Sequence, residues 1–209
     1  MRTRSVKSYV KSTVALAVCV LAGQAWAAGA IDPAYVKSLA APGKTVAVVE
    51  YYDPAGKVVD RKGFASPVGF LAVSPVDIEI NQKTRFHLYG LETCSGEMAN
   101  RKEGFAGTCA DFARQELEVL VKGAKVLFCR AFLTEREAPR QDVTCFGYYY
   151  YYPGSLDTVD NLEEQLVSLG ALRLAKKPDG ALMRPDLAEA EKIGRGGFGM
   201  WGDPRLRGQ

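Results

Sequence analysis

His87 is the sole histidine of the chain and stands in Arg85-Phe86-His87-Leu88-Tyr89-Gly90-Leu91-Glu92-Thr93-Cys94-Ser95, a stretch that also offers the Glu92 carboxylate. An imidazole titrates near neutrality, so His87 is equipped to act as a general acid or base. A strand histidine satisfied by its neighbours is the plainer alternative. Glu97 follows two residues after Ser95. Further on, Tyr148 to Tyr152 is a run of five tyrosines. Strand alternation sends Tyr148, Tyr150 and Tyr152 to one face, where they could stack against bases or sugars, and the other two into a core. Cys94, Cys109, Cys129 and Cys145 allow three pairings, and the short loops favour Cys94 with Cys109 and Cys129 with Cys145. A structural zinc site is disfavoured, because the chain has one histidine and no Cys-x-x-Cys.

The stretch 85–95 resembles the active-site strand of the staphylococcal (thermonuclease-like) nuclease family, Arg-Leu-x-Gly-Ile-Asp-Ala-Pro-Glu, aligned on Leu88, Gly90 and Leu91. Asn161-Leu162-Glu163-Glu164-Gln165-Leu166-Val167-Ser168-Leu169-Gly170-Ala171 is similar to the family's Asn-x-x-Leu-Val-x-x-Gly-x-Ala helix. Ala188-Glu189-Ala190-Glu191-Lys192 with Gly199-Met200-Trp201 is similar to its closing segment. The resemblance spans about Val68 to Trp201 and implies an α+β protein, a five-stranded OB-type Greek-key β-barrel with about three attached helices.

What the resemblance implies chemically is a calcium-dependent phosphodiesterase, but the chemical positions are rewritten. His87 falls at the phosphate-binding arginine, Glu92 at a calcium-ligand aspartate and Ser95 at the general-base glutamate. Asp77 is the residue left at the second metal aspartate. Arg140, five residues ahead of Cys145, falls at the second arginine. Glu97 is the loop acid available to replace the missing base. A neutral imidazole lacks the planar fork of a guanidinium, and serine cannot position water as a carboxylate does. The reading that follows is a catalytically impaired member serving as a binding or assembly module in the cell envelope, with no cofactor and an unidentified envelope protein or ligand as its partner. The alternative is a divergent calcium-dependent endonuclease on DNA or RNA, using His87, Glu97 and Arg140 with Asp77 and Glu92 as metal ligands. A saccharide-binding domain using the tyrosine face is a third reading.

The elements that must position these groups follow from periodicity and punctuation. Strands are expected near 45–52, 57–65, 68–73, 76–80 and 84–91, then at Lys125 to Arg130 and Val143 to Tyr152. A helix capped by Thr108 should stop at Gly123, a second, capped by Asp160, should run to Gly170 with Leu162, Leu166 and Val167 inward, and a third, carrying Leu187, Ala190 and Ile193, should begin near Pro185 or Asp186. Residues 28–66 read as an N-terminal extension with strands, 67–203 as the main domain and 204–209 as a flexible tail.

Residues 1–27 read as a secretory signal: Arg2, Arg4, Lys7 and Lys11, an apolar run from Val14 to Gly23, then Ala25-Trp26-Ala27. That run is shorter than the roughly 20 apolar residues of a spanning helix, so no transmembrane segment is expected after cleavage and a periplasmic location is. The full chain carries 27 Lys and Arg against 24 Asp and Glu, a net charge of +3. Removal of the four basic residues ahead of Ala28 leaves 23 against 24, about −1. A global basic field for nucleic acid is therefore missing, and nucleic acid is a partner under the nuclease alternative alone.

Overall fold

The computed structural model describes residues 31–150 and 157–207. The expected signal at 1–27 and Tyr152 lie outside the described residues. The protein is α+β, built on a mixed sheet. Its strands are β1 (Thr45–Tyr52), β2 (Val58–Ser66), β3 (Leu71–Ala72), β4 (Asp77–Asn81), β5 (Thr84–Leu88), β9 (Ala124–Phe132), β10 (Arg140–Tyr149) and β11 (Thr158–Asn161). Two short pairs stand apart: β6 (Leu91–Glu92) with β12 (Arg173–Leu174), and β7 (Glu97–Asn100) with β8 (Phe105–Thr108). The main sheet runs β2-β1-β9-β10-β5-β4-β3, with β11 added to β10.

This path is open. The edge of β9 that a closed five-stranded barrel would use is taken by β1, which pairs with it in parallel from Val46↔Val126 to Tyr52↔Phe132. Residues 45–66 are thus part of the sheet of the main domain. β1 is buried on both faces, which is why it reads as a near-continuous apolar run. Ala47, Val49 and Tyr51 face the main core with Ile78, Phe86, Leu88, Leu127 and Val143. Val48 faces the other way into a smaller core with Val126 and Phe128, closed by Val36 of helix α1 (Pro33–Ser38).

Helix α1 brings the α-helices among the described residues to four, where about three were expected. Its signals are local: Asp32 accepts from Ala34 N at 2.9 Å and Pro33 opens the first turn. Helix α2 (Cys109–Gly123) is capped by Thr108, whose Oγ1 accepts from Asp111 N at 3.0 Å, and buries Phe112, Ala113, Leu117 and Val121. Helix α3 (Leu162–Ser168) is capped by Asn161 and not by Asp160. The reason is that the β11 ladder with β10 runs on to Phe146↔Asn161, so the chain leaves the strand at Asn161 and the cap falls there, one residue beyond Asp160. Helix α4 (Ala188–Gly194) buries Ala190, while Ile193 is exposed. A 3-10 turn at Pro185–Leu187 precedes α4 and buries Leu187.

Two buried disulfides form, Cys94–Cys109 at the start of α2 and Cys129–Cys145 across directly paired positions of β9 and β10. Among the described residues no helix is long and apolar enough to cross a membrane. The expected tail is packed through Arg207: Leu206 is buried, and Arg207 Nε donates to Trp201 O at 3.1 Å. The C-terminal turn rests on Gly170, whose φ of +68° ends α3 and whose added Cβ would lie 2.3 Å from Phe198 O. Met200 N donates to Gly170 O at 2.9 Å across the same contact. Gly170→Ala is expected to cost about 2 kcal/mol or more, from left-handed strain plus backbone displacement, read as a lowered urea midpoint with unchanged slope.

Candidate functional site

Strands β4, β5 and β10 place Asp77, His87 and Arg140 on one face of the sheet. The register Asp77↔His87 is set by the β4/β5 ladder, and Arg85↔Arg140 and His87↔Asp142 by the parallel β5/β10 ladder. With a side-chain period of two, Ile78, Phe86, Leu88 and Val143 fill the core while the charged set faces outward.

Three of the expected site residues therefore converge, but they converge on each other. Arg140 Nε donates to Asp77 Oδ1 at 2.7 Å, and a terminal nitrogen of Arg140 lies 2.6 Å from His87 Nδ1. His87 Nδ1 is also 3.0 Å from Asp77 Oδ1. The Arg140 nitrogen is a donor, and on the far side of the ring Nε2 lies 4.0 Å from Asp142 Oδ1. Ser74 Oγ donates to the second oxygen of Asp77 at 2.6 Å. Burial works to raise the Asp77 carboxyl, but the bonds from Arg140 and Ser74 and the nearby positive charge outweigh it and hold it below the ordinary carboxylate value.

The other expected residues go elsewhere. Glu92 is on β6 and accepts from Arg173 Nε of β12 at 3.0 Å. Glu97 is exposed on β7, and its hairpin docks on the C-terminal turn, with Ala99 N donating to Asp203 at 2.9 Å and Asn100 Nδ2 to Gly199 O at 2.9 Å. A single cleft holding Arg140, Glu92, Glu97 and His87 is therefore not what forms. Asp77 and Glu92, the expected calcium ligands, belong to separate sheets, and each is engaged by an arginine. Among the described residues no group of three or more His, Cys, Asp and Glu side chains is placed to hold a metal ion. Of the tyrosines, Tyr149 lies in the main core and Tyr148 packs against the smaller one, as alternation requires.

The same outward face continues across the sheet as paired charge. Glu50 is buried on β1, beside Arg130 of β9 in register, and accepts from Arg61 Nε at 3.0 Å and from Tyr52 Oη at 2.7 Å. Burial and the bond to Glu50 push the Tyr52 hydroxyl up to about 12.

A second buried set, not anticipated, supports the Leu88–Leu91 stretch from below. Gly90 has φ +71°, and a Cβ there would lie 2.8 Å from Arg184 Cγ, so the glycine is required by the close approach of that side chain. Arg184 donates through Nε to Asp186 Oδ1 at 3.0 Å and through another nitrogen to Thr144 Oγ1 at 3.2 Å. Glu163 is fully buried and receives Cys145 N–H at 3.0 and 3.2 Å on its two oxygens. A signal for it exists in the sequence: Glu163 is one turn before Val167 on the buried side of α3. Burial pushes the Glu163 carboxyl up to about 7, against the pull of Arg184 and the backbone donors.

No protein-family model matches the chain, and no curated protein matches it.

An acid whose folded value is raised contributes stability that is full below its unfolded value and is lost as pH rises through the folded one. For Glu163 that window runs from 4.5 to about 7. Chemical denaturation across it should show stability falling by up to the order of 3 kcal/mol, and Glu163→Gln should flatten this slope.

Proposed function

We propose that the chain is a staphylococcal nuclease-like protein of the OB type, secreted to the periplasm, whose catalytic face has been converted into a structural charge lattice, and that it works as a binding or assembly module. The fold part rests on the strand order β4-β5-β10-β9 with β5 and β10 parallel, joined by a crossover containing α2. The two disulfides and the secretory signal support the location.

The observation that carries the functional part is the mutual neutralisation of the groups a phosphodiesterase would need. Arg140 is bonded to Asp77 and His87, and Glu92 is bonded to Arg173. A guanidinium already held by a carboxylate gives little to a phosphate, because its ground state is stabilised as much as its transition state. The convergence of Asp77, His87 and Arg140 also supports a second reading, a divergent calcium-dependent phosphodiesterase that breaks the Arg140–Asp77 pair on binding substrate.

Incubation of single-stranded DNA and RNA with the oxidised protein, with calcium and with chelator, separates the two. No cleavage above background is expected. Calcium-dependent cleavage, lost in Arg140→Ala at unchanged folding, would establish the phosphodiesterase instead.

A further inference from the structure

At the opposite end of the central strands the chain forms a cleft of about 470 Å³, lined by Pro42, Lys44, Pro67, Lys125, Tyr148 and Tyr150 among others. Its construction follows from topology. Parallel pairing sets the start of β1 beside the start of β9, which brings Lys44 and Lys125 to one end. Antiparallel pairing of β10 with β9 brings Tyr148 and Tyr150 there from the other direction. The volume falls within the roughly 300–1,000 Å³ of small-ligand clefts.

The charges around the cleft are unbalanced. Lys44 and Lys125 are exposed, and neither ammonium meets a carboxylate among the described residues. The Tyr148 hydroxyl is bonded to Asp157, a carboxylate that Lys37 holds at 3.0 Å. Lys37 in turn lies 5.8 Å from the centre of the Tyr148 ring. Two ammonium groups without a carboxylate partner among the described residues provide charge for an anion, and the half-exposed Tyr148 and Tyr150 provide flat apolar faces for a ring, with the Tyr150 hydroxyl for hydrogen bonding.

On the reading above of a binding module, we propose that this cleft binds a short acidic saccharide, with Lys44 and Lys125 on its carboxylate or phosphate and Tyr150 under a sugar ring. Nucleic acid fits the observations less well. Its affinity comes from many phosphate contacts along a basic track, and the lining of this cleft offers two lysines.

Isothermal titration of the oxidised protein with digalacturonate, glucose 6-phosphate, neutral maltose and a short oligothymidylate tests the assignment. Binding of either anionic sugar is expected, with maltose at least tenfold weaker, and the one that binds tells a carboxylate from a phosphate ligand. Lys44→Gln/Lys125→Gln should weaken that binding at least tenfold and remove its salt dependence, and Tyr150→Ala should weaken it with little change in salt dependence. These positions are exposed or half-exposed, and circular dichroism checks that the variants fold. The proposal is overturned if neither anionic sugar binds, if the lysine variant binds as well as the parent, or if oligothymidylate binds more tightly in a lysine-dependent way. Failure here without nucleic-acid cleavage removes the saccharide and leaves the binding-module reading in place. Cleavage removes that reading itself.

Discussion

The parallel pairing of β5 with β10, from Arg140↔Arg85 to Val143↔Leu88, is the constraint on which the rest depends. Parallel neighbours cannot be joined by a tight turn, so everything between them must be a crossover, and here that crossover carries β6 to β8, both cysteines of the first disulfide, α2 and β9. The register is chosen by the core. Phe86, Leu88 and Val143 are essentially inaccessible, and burying each such side chain is worth roughly 1.5–3 kcal/mol. The partly exposed ion pairs above them are worth about 0–1 kcal/mol each. A one-residue slip would bury Arg85, His87 and Asp142 and expose the apolar set. The Asp77–His87–Arg140 cluster is therefore positioned by the packing beneath it and not by its own attraction.

That placement decides what the cluster can do. Because the apolar register fixes three strands independently, the charged groups have no freedom to spread, and they settle by neutralising one another. The same logic runs through Glu50 with Arg61 and Glu92 with Arg173. Beneath the motif the balance is different. Arg184 and Glu163 are buried, where an uncompensated charge is costly, and each is tied to backbone or side-chain partners that anchor β10, α3 and the turn before α4 to the Gly90 bend. The outer set is a surface lattice, and the inner set is a structural tie.

Much of the scaffold was legible because its signals are local. Thr108 and Gly123 bound α2, alternation orders β4, and the short cysteine loops match the two disulfides. Helix α1 escaped because six residues hold too little periodicity for its face to be read. The β7/β8 hairpin escaped because its sequence is mostly polar and its glycine turn at Gly104 is not flanked by an apolar run. Of the candidate site, Asp77, His87 and Arg140 were named individually, but their bonding to each other depends on registers between distant strands that no local pattern encodes. The partner of Glu92 was hidden in the same way, since Arg173 reaches it through a two-residue ladder from the far side of α3.

The pairing of β1 with β9 was equally invisible in the sequence, and it has consequences at both ends of the sheet. By occupying the free edge of β9 it removes the edge through which a five-stranded barrel would close, so the N-terminal hairpin finishes the sheet as an open layer. It also exposes the outer face of β1 and β9, and α1 covers that face with Val36 and Tyr35. At the end where β1 and β9 begin and β10 finishes, the segment 40–45 leading into β1, the turn at 67 after β2 and the start of β9 meet within a small area. A cleft is the geometric result, lined by prolines from the turns, by Lys44 and by Lys125 of β9, Tyr148 of β10 and Tyr150 just after it. The added hairpin thus closes off one possible site geometry and builds another from the same strands.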